Sequence, residues 1–600
     1  MWSPQILLLL TSLVNLIVAN HHNLLNTVEY ELESVKENHL FSQHLNETLQ
    51  QLQLPHFFRS NNENQYYEES TICSLCYTLV NFLINERRNN ISLDVIALEA
   101  IGACTLLGIE SSEICRGVID LNLPIFAYIV DTEPTLKGER ICDILFQNSI
   151  GCNVTTFEWS VDIPNGTTID RKQPSNPESF FNILHISDFH YDPRYREGKT
   201  TACNAPLCCQ DDQEDGDTNE GLACGYWSEY NRADSSEALV NETISKAQEF
   251  EFEYVYFTGD IISHRVWSTS IENNTRDLKY IFQKMKDSFG KPIFPVVGNH
   301  EPSPLNEFAL GDEVNATLSS QWLYQLIADE FFEYLDETAK KDILIGGYYS
   351  ASPRKGLRII ALNSNIAYTE NWWLIKNDVD PANQLAWLVK TLKQAENNDE
   401  IVHILAHIPS GKSDLMQVWS REYQRIIERF SNTIAAQFNG HTHKDQFMVY
   451  YSSSNRTNAI NVALNGASVI SDKSNPSFKI VNVDQVNFDI IDTQEWTFNL
   501  TEANLKRDSI PEWYQLYSFR EHFGLSRLIP SEFEKLIMNM TINHQFLSDY
   551  HVFKYRNADI STASGCDDNC KKASLCEIVT SQVGDNTQCD YFSEMFDHNM

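Results

Sequence analysis

Basic side chains are scarce in this chain of 600 residues: 45 Lys and Arg stand against 82 Asp and Glu, a net charge of −37 at pH 7. Phosphate backbones repel a surface of this sign, so no nucleic-acid partner is expected. A strongly acidic surface suits a compartment of low pH, where part of the charge is neutralised. Long apolar runs are also missing. A spanning helix needs about 18 or more consecutive apolar residues, whereas the run from Ile6 to Val18 has 13 residues and is broken by Thr11, Ser12 and Asn15. It reads as the apolar part of a secretory signal peptide over residues 1–19, although Met1 to Gln5 carry no Lys or Arg. With no other such run, the mature protein is expected to be soluble.

No cysteine is left over. The count is fourteen, in three clusters, and ten N-x-[ST] sequons occur at Asn46, Asn90, Asn153, Asn165, Asn241, Asn273, Asn315, Asn455, Asn499 and Asn539. Both features agree with export to an oxidising compartment, secreted and/or lysosomal. The length exceeds what one core can organise, so several units are expected. Residues 20–68 form a polar leader from which no function follows. Residues 156–180 contain Pro164, Gly166, Pro174 and Pro177 and read as a semi-rigid linker.

The first cysteine cluster is Cys73, Cys76, Cys104, Cys115, Cys142 and Cys152. Leu75, Leu79, Phe82 and Leu83 recur at helical spacing, as do Val95, Leu98 and Ile101, then Ile114, Val118, Ile119 and Leu121. Six cysteines allow fifteen pairings, and the sequence by itself leaves them open. A zinc knuckle at Cys73-x-x-Cys76 is the alternative, disfavoured by export.

The chemistry concentrates in five short stretches: Asp188-Phe189-His190, Gly259-Asp260, Gly298-Asn299-His300-Glu301, His407 and Gly440-His441-Thr442-His443. Two Asp, one Asn and four His are the donors that two divalent ions need. Ions held about 3.5–4 Å apart require a bridging carboxylate, neutral imidazoles and a shared nucleophilic water. The order of the motifs points to Asp260 as the bridge. Short apolar runs of β character, Ile183 to Ser187, Tyr254 to Thr258, Ile293 to Val297 and Ile401 to Ala406, close on these ligands, so four strands should deliver them from their carboxyl ends.

In this order the five stretches resemble the calcineurin-like metallophosphoesterases. Thr258 to Trp267, Gln321 to Tyr324, Gly346 to Tyr349 and Ala435 to His443 resemble the acid sphingomyelinase family in particular, over about residues 70–595. His264, four residues after Asp260, argues against the purple acid phosphatases, which carry a Tyr ligand in that block. The resemblance implies a multidomain protein. An all-α saposin B-type domain (69–155) precedes an α/β metallophosphoesterase β-sandwich flanked by helices (181–485), which a helical, disulfide-bonded C-terminal lobe (486–600) completes. It implies two metal ions per chain, one held by Asp188, His190, Asp260 and His443, the other by Asp260, Asn299, His407 and His441; His-rich borderline donors in an exported protein favour Zn2+ for both, and the same set can bind iron or manganese. His300 is the implied general acid, with His264 second or assisting; a purely structural histidine at either place is the alternative.

The implied disulfides are Cys73 with Cys152, Cys76 with Cys142, Cys104 with Cys115, Cys203 with Cys208, Cys209 with Cys224, Cys566 with Cys570 and Cys576 with Cys589. A further bridge of the family aligns with Ala367 and Ser413, both non-cysteine here, so the loops around Ile366 and Lys412 are expected to be looser. The acidic run Asp211 to Asp215 reads as a solvated loop, with a calcium-type site as the alternative. Tyr368, Trp372 and Trp373 are candidates for a choline or lipid site or for core packing, and His403 has the strand parity of a structural residue. Leu500 to Lys506, Ile510 to Phe523 and Ser531 to Met540 read as helices. The implied activity is hydrolysis of sphingomyelin to ceramide and phosphocholine at acidic pH, by a monomer that meets a sphingomyelin-containing membrane through its saposin domain. The alternatives are action on nucleotides or other phosphocholine diesters, and a non-enzymatic lipid-binding protein.

Overall fold

In the computed structural model the described residues are 69–106, 108–148, 152, 157–165, 179–309, 317–331, 333–466 and 468–599. The expected signal peptide, the polar leader and the sequons Asn46, Asn153 and Asn315 lie outside them. The chain divides into two units, Met1–Thr156 and Phe157–Met600.

The described residues of the first unit form four helices, α1 (Glu69–Arg88), α2 (Leu93–Leu106), α3 (Ser112–Thr132) and α4 (Gly138–Phe146). Their apolar stripes meet inside: Leu75, Phe82, Ile84, Ile96, Ile101, Ile125, Ile129 and Ile141 are buried. The disulfides Cys73–Cys152, Cys76–Cys142 and Cys104–Cys115 fasten it. A bundle this small has little apolar area to bury, and such cross-links stabilise it chiefly by restricting the unfolded chain, by about 3–5 kcal/mol for loops of tens of residues. Asn81 Oδ1 accepts from the Gly138 amide at 2.8 Å, and the Tyr77 hydroxyl donates to Asp143 Oδ1 at 2.6 Å, so α1 and α4 are joined by polar contacts as well.

The second unit is built on two six-stranded sheets. The strands are β1 (Phe180–Ile186), β2 (Tyr254–Phe257), β3 (Ile293–Pro295), β4 (Tyr349–Arg354), β5 (Leu357–Leu362), β6 (Ile401–Ala406), β7 (Ile434–Asn439), β8 (Gln446–Ser452), β9 (Asn455–Asn465), β10 (Ser477–Asp484), β11 (Ile490–Thr497) and β12 (Tyr514–Ser518). One sheet has the order β12-β11-β10-β1-β2-β3 and the other β4-β5-β6-β7-β9-β8. Strands β1, β2 and β3, which end at one edge of the first sheet, are parallel, as are the central strands β5, β6, β7 and β9 of the second. Of these, β2, β3, β6 and β7 are buried along their whole length, which is why they read as largely apolar runs. Between the sheets Tyr256 packs edge-on against Phe438, with centroids 5.1 Å apart, and its hydroxyl meets His403 Nδ1 at 2.9 Å. His403 Nε2 faces the Phe488 carbonyl at 2.8 Å, so this histidine is structural.

One expectation changes. Ile510 to Phe523 is not one helix: Tyr514–Ser518 is β12, paired antiparallel with β11, and only Phe519–Phe523 is helical. The exposed edge of β11 needs partners for its amides and carbonyls, and β12 supplies them while sending Tyr517 inward onto Phe553, centroids 3.9 Å apart. β11 and β12 both follow residue 485, so this lobe contributes strands to the first sheet besides helices. The described part of the linker is docked: the Val161 amide donates to Glu422 and Arg429 donates to the Pro164 carbonyl, both at 3.0 Å. The loops at Ala367 and Ser413, without a bridging disulfide, are joined by backbone bonds, Thr369 N to Asp414 O at 2.8 Å and Met416 N to Ala367 O at 2.9 Å.

Candidate metal centre

The four strands expected to deliver candidate ligands lead into them from their carboxyl ends, β1 into Asp188 and His190, β2 into Asp260, β3 into Asn299 and β6 into His407, and a fifth, β7, leads into His441 and His443. Five of these seven residues, Asp188, His190, Asp260, His441 and His443, have φ between 39° and 72°. A non-glycine residue there costs about 1–3 kcal/mol and persists only where its surroundings demand it. The demand is visible in the neighbours. Asp188 N donates to Gly259 O at 2.9 Å, His190 N to Asp260 O at 3.1 Å and Gly440 N to His407 O at 3.0 Å. The glycines of the motifs permit this closeness: a Cβ on Gly298 would lie 2.1 Å from Asp260 Oδ1, and one on Gly440 would lie 2.3 Å from Ser187 Oγ.

The side chains converge on two points. Asp260 Oδ2 is 3.0 Å from His407 Nε2 and 3.5 Å from His190 Nε2. Asn299 Oδ1 is 3.0 Å from both His407 Nε2 and His441 Nδ1. His443 Nε2 is 3.0 Å from His190 Nε2 and 4.0 Å from Asp188 Oδ1. Asp188 Oδ2 is buried without a hydrogen-bond partner. Donors bound at about 2.1 Å to one cation stand about 3.0–3.4 Å apart, so these separations suit two coordination shells that share Asp260. The structure thus brings Asp188, His190, Asp260, Asn299, His407, His441 and His443 together in one place.

The far nitrogens fix the tautomers. His190 Nδ1 faces Ile262 O at 2.8 Å and His407 Nδ1 faces Thr258 O at 2.7 Å, so each carries its proton there and turns the Nε2 lone pair inward. His441 Nε2 is 3.2 Å from Asp414 Oδ2, and His443 Nδ1 is 3.7 Å from Asp472 Oδ2. Burial, with His264 and His300 nearby, holds His190 well below the usual imidazole range. Burial opposes charge on Asp260, yet His407 and His300 keep it well below the usual carboxylate range.

His264 and His300 stand beside these donors, close enough to His190, His443 and Asp260 to count among the groups that could hold an ion. The His264 ring stacks on His190 with centroids 4.1 Å apart, and His300 lies 4.4 Å from it. His264 Nδ1 meets Asp234 Oδ1 at 2.7 Å, and its amide donates to Asp234 Oδ2 at 2.6 Å. His300 N donates to Asp260 Oδ1 at 2.9 Å, while its Nδ1 is buried and unpartnered.

Sequence reading missed the supporting groups. Glu301 accepts from Gly298 N at 2.5 Å and Ile261 N at 2.6 Å, binding the turns after β2 and β3 together; burial and Asp260 push its carboxyl up to about 8. Its place next to Asn299-His300 was the available signal. Asp234, Asp414, Asp472 and the fully buried Arg556, which donates to the His443 carbonyl at 3.2 Å, have no such mark. Of the aromatic candidates, Trp373 is core, Trp372 is half-buried, and Tyr368 lies half-buried with its ring 6.1 Å from His441. Three of the four carboxylates of the acidic loop are ion-paired, Asp211 with Arg194, Asp212 with Arg265 and Asp215 with Lys199. All seven disulfides join the pairs implied by the resemblance.

Residues 181–445 match the calcineurin-like phosphoesterase family, and residues 453–591 match the acid sphingomyelin phosphodiesterase C-terminal region. The chain is 32% identical to a sphingomyelin phosphodiesterase of Bos taurus, over 86% of this chain and 83% of that protein. It is 30% identical to sphingomyelin phosphodiesterase B of Dictyostelium discoideum, over 86% and 81%. A cyclic GMP-AMP phosphodiesterase of Homo sapiens is 29% identical, over 67% of this chain and 88% of that one. With its ligand-bearing loops, both family matches and this depth of similarity, the chain belongs to the sphingomyelin phosphodiesterase family of calcineurin-like metallophosphoesterases.

Proposed function

We propose that this protein is a phosphodiesterase that hydrolyses sphingomyelin to ceramide and phosphocholine. The observation that carries the reading is the pair of donor clusters sharing Asp260, with His300 and the His264–Asp234 pair beside them. Asp188, His190, Asp260 and His443 would hold one divalent ion, and Asp260, Asn299, His407 and His441 the other. When bound, such ions activate water and draw charge from the phosphoryl oxygens. Imidazole-rich borderline donors favour zinc. The chain's own part is to orient the donors, exclude solvent from the buried half of the site and supply a proton. His300, adjacent to Asn299, donates to the departing ceramide oxygen, and His264, held by Asp234, assists. General acid help of this kind contributes about 10²–10⁴ in rate.

The four-helix unit with its three disulfides supports assignment as a saposin B-type module that meets a sphingomyelin-containing membrane, the enzyme acting as a monomer. Secreted or lysosomal residence is supported by the seven disulfides and by the exposed sequons Asn90, Asn165, Asn241, Asn273, Asn455 and Asn539; Asn499 is half-buried. No helix of the described residues is long and apolar enough to cross a membrane.

The similarity to a cyclic GMP-AMP phosphodiesterase favours a second reading, action on a soluble nucleotide diester. The test compares phosphocholine release from sphingomyelin vesicles with hydrolysis of cyclic GMP-AMP at about pH 5, where the His264 imidazole, raised by Asp234, is charged. Release that His300→Ala abolishes supports the lipid reading; activity confined to the nucleotide overturns it.

A further inference from the structure

A cluster of metal-ligating side chains lies away from the two-ion centre. His551, on the helix Gln545–Lys554, and Cys566 and Cys570, at the start of the helix Asp568–Val579, bring an imidazole nitrogen and two sulfurs within 4.8 Å of one another. The sulfurs form a disulfide. His551 Nδ1 is 3.5 Å from Cys570 Sγ, and Nε2 is 3.3 Å from the Ser561 carbonyl oxygen. A carbonyl only accepts, so Nε2 carries the proton and Nδ1 turns its lone pair toward sulfur. That is how a metal-ligating histidine is held, its second nitrogen donating to a carbonyl.

Access and position single out the same pair. Five of the seven disulfides have at least one buried cysteine, whereas Cys566–Cys570 and Cys576–Cys589 are half-exposed at both ends. Cys576 and Cys589 face the Ser593 hydroxyl, which is a poor ligand for a soft cation. Cys570 sits in the first turn of a 12-residue helix, with its amide bound to Asp567 Oδ1 at 2.9 Å. A helix N-terminus favours thiolate over thiol.

We propose that His551, Cys566 and Cys570 form a reduction-gated site for a thiophilic divalent cation of the zinc class, separate from the two-ion centre. A dithiol reductant supplies two electrons that break the Cys566–Cys570 bond; its own sulfurs join as a disulfide, and its two protons pass to the cysteines. The cation then bonds to both Sγ atoms and to His551 Nδ1, and the two thiol protons leave to solvent. Two thiolates and an imidazole select zinc over magnesium or calcium, and three protein ligands leave a fourth position for water. Such binding ties the helix Gln545–Lys554 to the start of the helix Asp568–Val579, a link that the disulfide, closed within residues 566–570, does not make.

The full chain is reduced with a dithiol under native conditions, desalted without oxygen and titrated with Co2+, whose thiolate charge-transfer absorption reports sulfur ligation. The two-ion centre has only N and O donors and is silent in this signal. Reduced wild type is expected to show the absorption, saturating at one Co2+ per chain beyond what the oxidised protein takes up and displaced by Zn2+, while oxidised protein shows none. His551→Ala should weaken binding about tenfold or more, and Cys566→Ser with Cys570→Ser should abolish the signal. Cys576→Ser with Cys589→Ser should leave it intact. Should the first serine pair fail to fold, alkylation of the reduced Cys566 and Cys570 in wild type, mapped by mass spectrometry, replaces it and should abolish the signal equally. Reduced wild type without the absorption overturns the proposal, as does a signal unchanged by His551→Ala.

Discussion

Replacing Gly298 by alanine adds one methyl group to the loop after β3. Its backbone is outside the left-handed region, so alanine meets no conformational strain, and the effect isolates sterics. The added Cβ would lie 2.1 Å from Asp260 Oδ1, 2.4 Å from Asp260 N and 2.6 Å from Glu301 Oε2, where ordinary contacts begin at 3.4 Å. None of these atoms yields easily: Asp260 is bound by His300 N, and Glu301 by Ile261 N. The carboxylate placed to bridge the two ions must therefore retreat by about 1 Å, a displacement that costs about 100-fold in rate. Disturbing the support of a metal ligand costs a further 10–100-fold in ion affinity, of the order of 1–3 kcal/mol. Purified Gly298→Ala is expected to fold, to hold fewer divalent ions per chain by plasma emission spectrometry, and to release phosphocholine from sphingomyelin vesicles at least about 100-fold more slowly. Gly524→Ala is the control: it meets no atom but must adopt φ +69°, so it should cost about 1–2 kcal/mol of stability and leave the rate per folded molecule unchanged. Wild-type ion content and rate in Gly298→Ala would refute the reasoning.

Three further outcomes follow from the same contacts. Burial opposes charge on His264, but the Asp234 carboxylate outweighs it and raises the imidazole above its usual range. Asp234→Asn should therefore lower the proton affinity of His264 and move the alkaline limb of the pH–rate profile toward acid; an unmoved limb would show that His264 takes no part in supplying the proton. Arg556 is fully buried and donates to the carbonyls of Asn475, Ile470 and His443, so Arg556→Met leaves buried acceptors unpaired and should cost about 3 kcal/mol or more, read as a fall in Tm. Burial raises the Asp143 carboxyl above its usual range, with the Tyr77 hydroxyl pulling it back and Glu139 raising it again. A raised folded-state value contributes stability that is full below the unfolded value and is lost as pH rises through the folded one. Protection of residues 69–148 in hydrogen exchange should thus weaken from acid toward neutral pH, and Asp143→Asn should flatten that trend.

The site was legible because its ligands follow apolar β runs and carry glycines, so local sequence states both where backbone turns and what it carries there. β1, β2, β3 and β6 each end on the donor expected. The partners of those donors were illegible for the opposite reason. Asp234, Asp414 and Asp472 reach His264, His441 and His443 through the folded arrangement, and an isolated Asp in a loop carries no mark of its target. Strand β12 was hidden likewise: Tyr514 to Ser518 gains its character from the open edge of β11, and the helical spacing of neighbouring residues outweighed it. The loops at Ala367 and Ser413 teach a related lesson, since loss of both cysteines left backbone hydrogen bonds that no sequence pattern announced.

The central claim is that two divalent ions share Asp260 and that the resulting centre cleaves sphingomyelin. The most direct measurement is divalent-ion content together with phosphocholine release for wild type and Asp260→Asn, purified side by side. The account predicts two ions per chain and vesicle hydrolysis in wild type, with both lost in the variant. An Asp260→Asn protein that keeps its ions and its hydrolysis of sphingomyelin would contradict it.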